Sequence, residues 1–136
     1  MPSLVRQVPA ADSANAVHRF ESAFSYETDC WDVHEALAGK ADFVLLDVRS
    51  AEAFEHGHVP GATHIPHAKI IAARMAGYAP GTLFVVYCAG PHCNGAQRAA
   101  LRLARLGLPV KIMIGGITGW VDEGFGLESG AAPRAE

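Results

Sequence analysis

The 136-residue sequence lacks any apolar run long enough to cross a membrane, since its longest runs are strand-sized pieces such as 43–46 and 83–86. Its first nine residues contain no apolar core of signal-peptide length, so we expect a cytoplasmic protein without a membrane partner. It has no basic tract and a net charge of −3, which argues against nucleic acid as a partner. The three cysteines are an odd number without framework spacing, which favours reduced thiols over structural disulfides.

Strand-like and helix-like segments alternate along the chain. Strands are predicted at 25–28, 43–48, 63–65, 83–87 and 110–114. Helices are predicted at 10–24, 30–38, 51–56, 67–76 and 95–106, and segment 115–120 turns the chain into a terminal helix. This alternation is typical of an α/β fold with a parallel sheet covered on both faces. Ligands of such sheets bind outside the carboxyl ends of the strands.

Cys88 lies where the apolar strand 83–87 ends and a glycine-containing loop opens into a helix. A thiol in that position faces the N–H groups of the loop and the positive end of the helix, and both favour the thiolate. The pattern therefore predicts a nucleophile, with a buried structural thiol as the alternative. Cys93, in the same loop, is a second reactive thiol that acts after Cys88, an alternative nucleophile, or a loop residue without a chemical role.

Two further motifs flank this loop. Segment 46–62, LDVRSAEAFEHGHVPGA, resembles the N-terminal signature of rhodanese domains, and segment 115–120, GGITGW, resembles their C-terminal signature. The resemblance covers roughly residues 26–125 and implies a rhodanese-like α/β fold, with a five-stranded parallel sheet and helices on both faces. We expect an N-terminal helical extension over 1–24, whose helix packs on the domain, then a rhodanese domain over 25–127 and a frayed tail over 128–136.

The resemblance implies sulfurtransferase chemistry, with Cys88 as the persulfide-forming residue and no metal or cofactor. The partners would be a small donor, thiosulfate or a persulfide, and a thiol or cyanide acceptor, with a protein acceptor as a further candidate. A sulfur-carrying or sulfur-sensing module with little turnover is the alternative. An oxyanion reductase or phosphatase is disfavoured, because the sixth residue after Cys88 is not arginine.

The expected substrate-binding residues are the loop and helix start, Ala89, Gly90, Pro91, His92, Cys93, Asn94, Gly95 and Ala96.

Several other residues are expected to support the fold. Asp47 and Arg49 match motif positions, and Arg49 is predicted to pair with Glu52 and order the neighbouring turn. Hydrogen bonding of His58 to the backbone is favoured over metal ligation. The remaining expectations are a surface or turn position for His64 and His67, and a packed position for Cys30 and Trp120.

Overall fold

The computed structural model describes residues 1–132, and in this range five strands alternate with seven α-helices. The strands are β1 (Glu27–Thr28), β2 (Val44–Asp47), β3 (Thr63–His64), β4 (Phe84–Tyr87) and β5 (Val110–Met113). The helices are α1 (Leu4–Gln7), α2 (Ser13–Tyr26), α3 (Cys30–Ala38), α4 (Ala51–His56), α5 (Ala72–Met75), α6 (Gly95–Arg105) and α7 (Gly116–Asp122), with a 3₁₀ turn at His67–Lys69. None of the described helices has the length and apolar character needed to span a membrane.

The five strands form one parallel sheet, as expected, and their order in it is β1-β5-β4-β2-β3. β4 lies at the centre, paired with β2 and β5, and all four of its residues are buried. A strand buried on both faces reads as a continuous apolar run, which is why the pattern at 83–87 identified it. The carboxyl ends of β2, β3 and β4 meet at one edge of the sheet.

Each face of the sheet has its own apolar core, because successive strand residues point to opposite sides. Leu46 and Phe84 pack against Leu103 of α6 on one face. Leu45 packs with Val33 of α3 and other buried residues on the opposite face. Trp120 of α7 belongs to this second core and is 2% exposed, as expected. Helices therefore cover both faces.

The helix starts follow from their capping residues. The side chain of Asp29 accepts a hydrogen bond from the N–H of Asp32 at 2.8 Å, and α3 begins directly after it. Ser50 caps α4 in the same way, accepting from the N–H of Ala53 at 3.2 Å. Such caps satisfy N–H groups that have no partner inside the helix.

The predicted helix at 67–76 is wrong, since the chain forms the 3₁₀ turn at His67–Lys69, leaves helical geometry at Ile70 and Ile71, and resumes as α5. Ile70 is 2% exposed and belongs to the core beside α6. Two adjacent β-branched residues disfavour a helix interior, and burial of Ile70 fixes the break. The motif at 115–120 also differs from expectation, because α7 begins inside it at Gly116.

The N-terminal extension differs in its bounds and its packing. Helix α2 continues to Tyr26, where the N–H of Glu27 bonds the carbonyl of Ala23, so the predicted strand at 25–28 shortens to β1. The two phenylalanines of α2 are not buried on the described part of the domain, since Phe20 is 68% exposed and Phe24 73%, whereas the small residue Ala23 near the end of the helix is half-buried.

The beginning of the expected tail is hydrogen-bonded to the domain. Glu128 and His58 exchange backbone N–H···O bonds of 2.8 and 2.9 Å, and the N–H of Gly130 bonds the carbonyl of Glu55 at 2.9 Å. These bonds connect the chain after α7 to the segment around α4. Residues 133–136 of the predicted tail lie outside the described residues.

Candidate active site

Cys88 follows the last residue of β4, and its side chain lies at the start of α6. A Cβ atom built on Gly95 would lie 2.8 Å from Cys88 Sγ, so the sulfur contacts the first turn of the helix. Asn94, at the N-cap, makes no capping bond, because its side chain accepts from Arg98 Nε at 3.1 Å. Asn94 therefore provides no N-cap bond to the N-terminal N–H groups of α6, among which the N–H of Gly95 donates to Cys93 Sγ at 3.4 Å, and this end of a helix favours an anion.

The second signature motif holds the cysteine loop in place. The N–H of Ile117 donates to the carbonyl of Cys88 at 3.1 Å, and the N–H of Thr118 donates to that of Ala89 at 3.0 Å. The hydroxyl of Thr118 donates to the same Ala89 carbonyl at 3.1 Å. Gly116 supplies the left-handed turn, φ +57°, that brings α7 against the loop. The first turn of α7 thus fixes the backbone on both sides of the Cys88–Ala89 peptide.

Cys88 and Cys93 form a disulfide, which corrects the expectation that all three cysteines are reduced. The loop turns back on itself, with the N–H of Cys93 bonded to the carbonyl of Gly90 at 3.1 Å, and this brings the two Cα atoms to 6.4 Å. Such a separation lies within the normal range for a disulfide. Cys30 is free and buried, as predicted.

An open cleft of about 520 Å³ lies over Cys88. Four residues of the predicted substrate-binding loop line it, Ala89, Cys93, Asn94 and Gly95. The other four do not: Gly90 packs against Thr118, Ala96 is buried in the core, and Pro91 and His92 lie outside the lining. Sequence reasoning missed the opposite wall, which consists of Val48, Arg49, Ser50, Ala53, Pro66, His67 and Ala68.

The missed wall follows β2 and β3 in the chain. Parallel strands end at the same edge of a sheet, so residues just after β2 and β3 must face residues just after β4. That rule, applied to the predicted strands at 43–48 and 63–65, could have found these segments. Apart from Arg49 and His67, which were expected to have structural or surface roles, the side chains of this wall are apolar or short and carry no chemical signal of their own.

Asp47 and Arg49 form a buried ion pair beside the cleft, so the predicted pairing of Arg49 with Glu52 is wrong. Arg49 Nη2 donates to Asp47 Oδ2 at 2.7 Å, and Nε donates to Oδ1 at 3.1 Å. Arg49 Nη2 also donates to the carbonyl of Gly57 at 2.7 Å. The turn after β2 points the guanidinium back toward the sheet, whereas Glu52 is exposed on α4.

Tyr87 completes this ion-pair network. Its hydroxyl donates to Asp47 Oδ2 at 2.6 Å and accepts from the N–H of Val59 at 3.1 Å. Burial and the neighbouring Asp47 carboxylate raise the pKa of Tyr87 well above its usual range, so the hydroxyl stays protonated and donates. The Asp47 side chain is fully buried, and its two oxygens are satisfied by Arg49 and Tyr87. The network connects β2, β4 and the turn that carries Val59.

We expect Arg49→Ala to lower the free energy of unfolding by about 3 kcal/mol, because it leaves the Asp47 carboxylate buried without its cation. Arg74→Ala, which removes an exposed arginine of α5, should stay within about 0.5 kcal/mol of the wild type. Urea unfolding of both variants measures the difference. An unchanged urea unfolding curve for Arg49→Ala would contradict this structural role.

The histidines act mainly through the backbone. His58 Nδ1 hydrogen-bonds the carbonyl of Phe54 at 2.8 Å, as predicted, and its ring stacks on Phe54. His64 is not a surface residue, because it is half-buried and its Nε2 donates to the carbonyl of Arg49 at 2.8 Å. His67 lines the cleft, and its buried Nδ1 has no hydrogen-bond partner among the described residues. Within residues 1–132 no cluster of His, Cys, Asp and Glu is arranged to hold a metal.

Comparison with known proteins agrees with this fold. The family model for the Rhodanese-like domain matches residues 31–123. The BH2092 protein of Bacillus halodurans is 35% identical over 92% of each chain, with a TM-score of 0.83. A thiosulfate sulfurtransferase of Pseudomonas aeruginosa is 25% identical with a TM-score of 0.69, covering 84% of this chain and 22% of that one. The chain belongs to the rhodanese-like domain family.

A curated relative is the HTH-type transcriptional regulator Rv0324 of Mycobacterium tuberculosis. It is 37% identical to this chain over 91 residues, which are 66% of this chain and 39% of the regulator. The match therefore spans well under half the length of that relative.

Proposed function

We propose that the reduced protein is a sulfurtransferase that carries sulfane sulfur as a persulfide on Cys88. The observation that carries this proposal is the position of Cys88 at the end of the central strand, with its sulfur against the start of α6, where Asn94 makes no N-cap bond. That end of the helix stabilises both the thiolate that attacks and the persulfide anion that results. The open cleft above the sulfur admits a small donor and then an acceptor.

The reaction is two displacements at sulfur. The Cys88 thiolate attacks the outer sulfur of thiosulfate, the S–S bond of the donor breaks, and its electron pair leaves with sulfite. A thiol or cyanide then attacks the terminal sulfur of the persulfide, and the Cys88 thiolate is regenerated. The loop N–H groups and the start of α6 stabilise the negative charge on the Cys88 thiolate and on the persulfide. This proposed reaction therefore uses no metal or organic cofactor.

The charge of the surrounding surface suits anionic donors. Segment 56–121 contains no Asp or Glu, and its charged residues are Lys69, Arg74, Arg98, Arg102, Arg105 and Lys111. The three arginines of α6 line a cavity of about 460 Å³ that shares His67 with the catalytic cleft. The predicted loop lacks a cation of its own, and these neighbouring arginines supply attraction at longer range.

Phosphoryl and arsenate chemistry fits the site poorly. A bound oxyanion of that kind needs a guanidinium directed into the loop. Asn94 occupies the sixth position after Cys88, and Arg98 is hydrogen-bonded to the Asn94 side chain instead.

The test is a pair of assays on protein reduced with a dithiol and then desalted. We expect thiocyanate from thiosulfate and cyanide, with ping-pong kinetics, and no phosphate release from aryl phosphates. Intact mass after thiosulfate alone should show sulfane sulfur carried by Cys88 when Cys93 is replaced by serine. Cys88-dependent phosphatase turnover without thiocyanate formation would overturn the proposal.

A sulfur-sensing module with little turnover is the second candidate, and the likeness to an HTH-type regulator favours it. The two functions differ in their response to excess acceptor. An enzyme forms many thiocyanate molecules per chain, whereas a sensor loads once and returns its sulfur slowly. Either function needs a reducing compartment such as the cytoplasm, because Cys88 attacks only after its disulfide is reduced.

A further inference from the structure

The catalytic loop holds a second thiol within bonding reach of the first. Cys93 Sγ is bonded to Cys88 Sγ, and the sulfur of Cys93 also accepts a hydrogen bond from the N–H of Gly95 at 3.4 Å. A Cβ atom on Gly95 would lie 2.8 Å from Cys88 Sγ and 3.4 Å from Cys93 Sγ. Both sulfurs therefore occupy the corner at the start of α6, where the missing side chain of Gly95 leaves room for them.

The third cysteine takes no part in this pair. Cys30 is 4% exposed in the core on the other face of the sheet, and its thiol donates to the carbonyls of Ile114 and Gly116. Burial, together with the charges of Asp29 and Glu123, raises the pKa of Cys30 to about 11. Thiol chemistry in this protein is thus confined to the catalytic loop.

We propose that Cys93 resolves the Cys88 persulfide, so that the domain releases its sulfur as sulfide and closes a Cys88–Cys93 disulfide. This inference rests on the proposed formation of that persulfide. The start of α6 favours the thiolate of Cys93 as it does that of Cys88, and the loop delivers it to Cys88 Sγ without movement of a second domain. An internal thiol also acts at a high effective concentration compared with a diffusing acceptor.

The electrons and atoms balance within the chain. The Cys93 thiolate attacks Cys88 Sγ, a new Sγ–Sγ bond forms, and the bond from Cys88 Sγ to the terminal sulfur breaks. That sulfur takes up the proton that the Cys93 thiol gave up and leaves as hydrosulfide, reduced by two electrons, and the two cysteine sulfurs are oxidised to the disulfide. A dithiol co-substrate, either a small molecule or a redox protein, then reduces the disulfide and frees Cys88 for the next donor.

The inference changes the acceptor expected for this domain. With thiosulfate and no reductant, the protein performs one transfer and stops as the disulfide. With a dithiol present it turns over and converts sulfane sulfur to sulfide. The physiological acceptor is then the class of dithiol reductants, and the state of the disulfide reports whether sulfane sulfur or reductant is in excess.

The experiment treats the reduced, desalted protein with thiosulfate in the absence of oxygen and measures sulfite, trapped sulfide and the loop peptides under non-reducing conditions. The wild type should release sulfite and sulfide in equal amounts and yield a cross-linked Cys88–Cys93 peptide. Cys93→Ser should release sulfite at a rate within about tenfold of the wild type, keep the sulfur on Cys88, and give at least about tenfold less sulfide per sulfite released. Cys30→Ala, which removes the thiol outside the loop, should behave as the wild type.

The outcomes separate the two proposals. If the wild type releases sulfite but retains its persulfide on Cys88 and a free Cys93, the resolving role is wrong and the sulfurtransferase proposal stands. If sulfide appears at the same rate in Cys93→Ser, resolution by Cys93 is equally wrong. If neither protein releases sulfite, the proposed function fails and the inference fails with it.

Discussion

Cys88→Ser is expected to abolish sulfite release from thiosulfate and thiocyanate formation, with a loss of about three orders of magnitude or more. A serine hydroxyl remains protonated at neutral pH, and its oxygen does not form the persulfide that stores the transferred sulfur. The substitution changes little in volume, so the buried end of β4 should keep its packing. Sulfite release and intact mass after thiosulfate treatment measure the loss.

Cys93→Ser is the matched control for that loss, because it removes the other sulfur of the same loop. The first transfer should stay within about tenfold of the wild type, since the position at the strand end belongs to Cys88 alone. Both variants should melt near the wild-type protein measured in its reduced state. Sulfane sulfur found on Cys93 in the Cys88→Ser variant would reverse the assignment of the nucleophile.

The sheet and the place of Cys88 could be predicted because the signals are local. Buried parallel strands produce apolar runs, and those around Val44–Asp47 and Phe84–Tyr87 were visible against their polar surroundings. Ser50 and Asp29 predicted the starts of the helices that follow them, because their capping bonds depend only on neighbouring residues. Cys88 follows a predicted strand and precedes a loop and a predicted helix. This succession placed it between the end of β4 and the start of α6.

The features that could not be predicted depend on distant packing. Arg49 has acidic residues on both sides in the sequence, and only the fold shows that Asp47 is buried beside Tyr87 and takes the guanidinium. Helical spacing at 67–76 is interrupted because Ile70 fills the core next to α6. Likewise, the spacing of Cys88 and Cys93 permits a disulfide without requiring one, and the turn that joins them is a property of the folded loop.

Gly116→Ala is the second substitution with a large expected effect, because Gly116 lies against the backbone of the catalytic loop. A Cβ atom there would overlap the carbonyl oxygen of Cys88 and lie 2.9 Å from the N of Gly90 and 3.0 Å from the carbonyl carbon of Ala89. These are backbone atoms, so no side chain can rotate to make room. Residue 116 also has φ +57°, where an L-residue with a side chain is strained.

We expect Gly116→Ala to lower the free energy of unfolding by about 3 kcal/mol, from backbone strain together with overpacking. In the folded fraction, α7 and the cysteine loop must separate, which lengthens the bonds from Ile117 and Thr118 to the Cys88 and Ala89 carbonyls. Persulfide formation should then fall at least about tenfold, because a small misplacement of a nucleophile has a large cost in rate.

Gly124→Ala is a control that separates backbone strain from the contact between α7 and the Cys88 loop. Gly124 has φ +85°, so alanine is strained there as well, but a Cβ atom at this position meets nothing within 4 Å. Gly124→Ala should lower the free energy of unfolding by about 1 kcal/mol and leave the rate of sulfite release per folded chain unchanged. Urea unfolding and single-turnover sulfite release on both variants give the comparison. If Gly116→Ala matched Gly124→Ala in both measurements, the contact between α7 and the Cys88 loop would have no part in positioning the nucleophile.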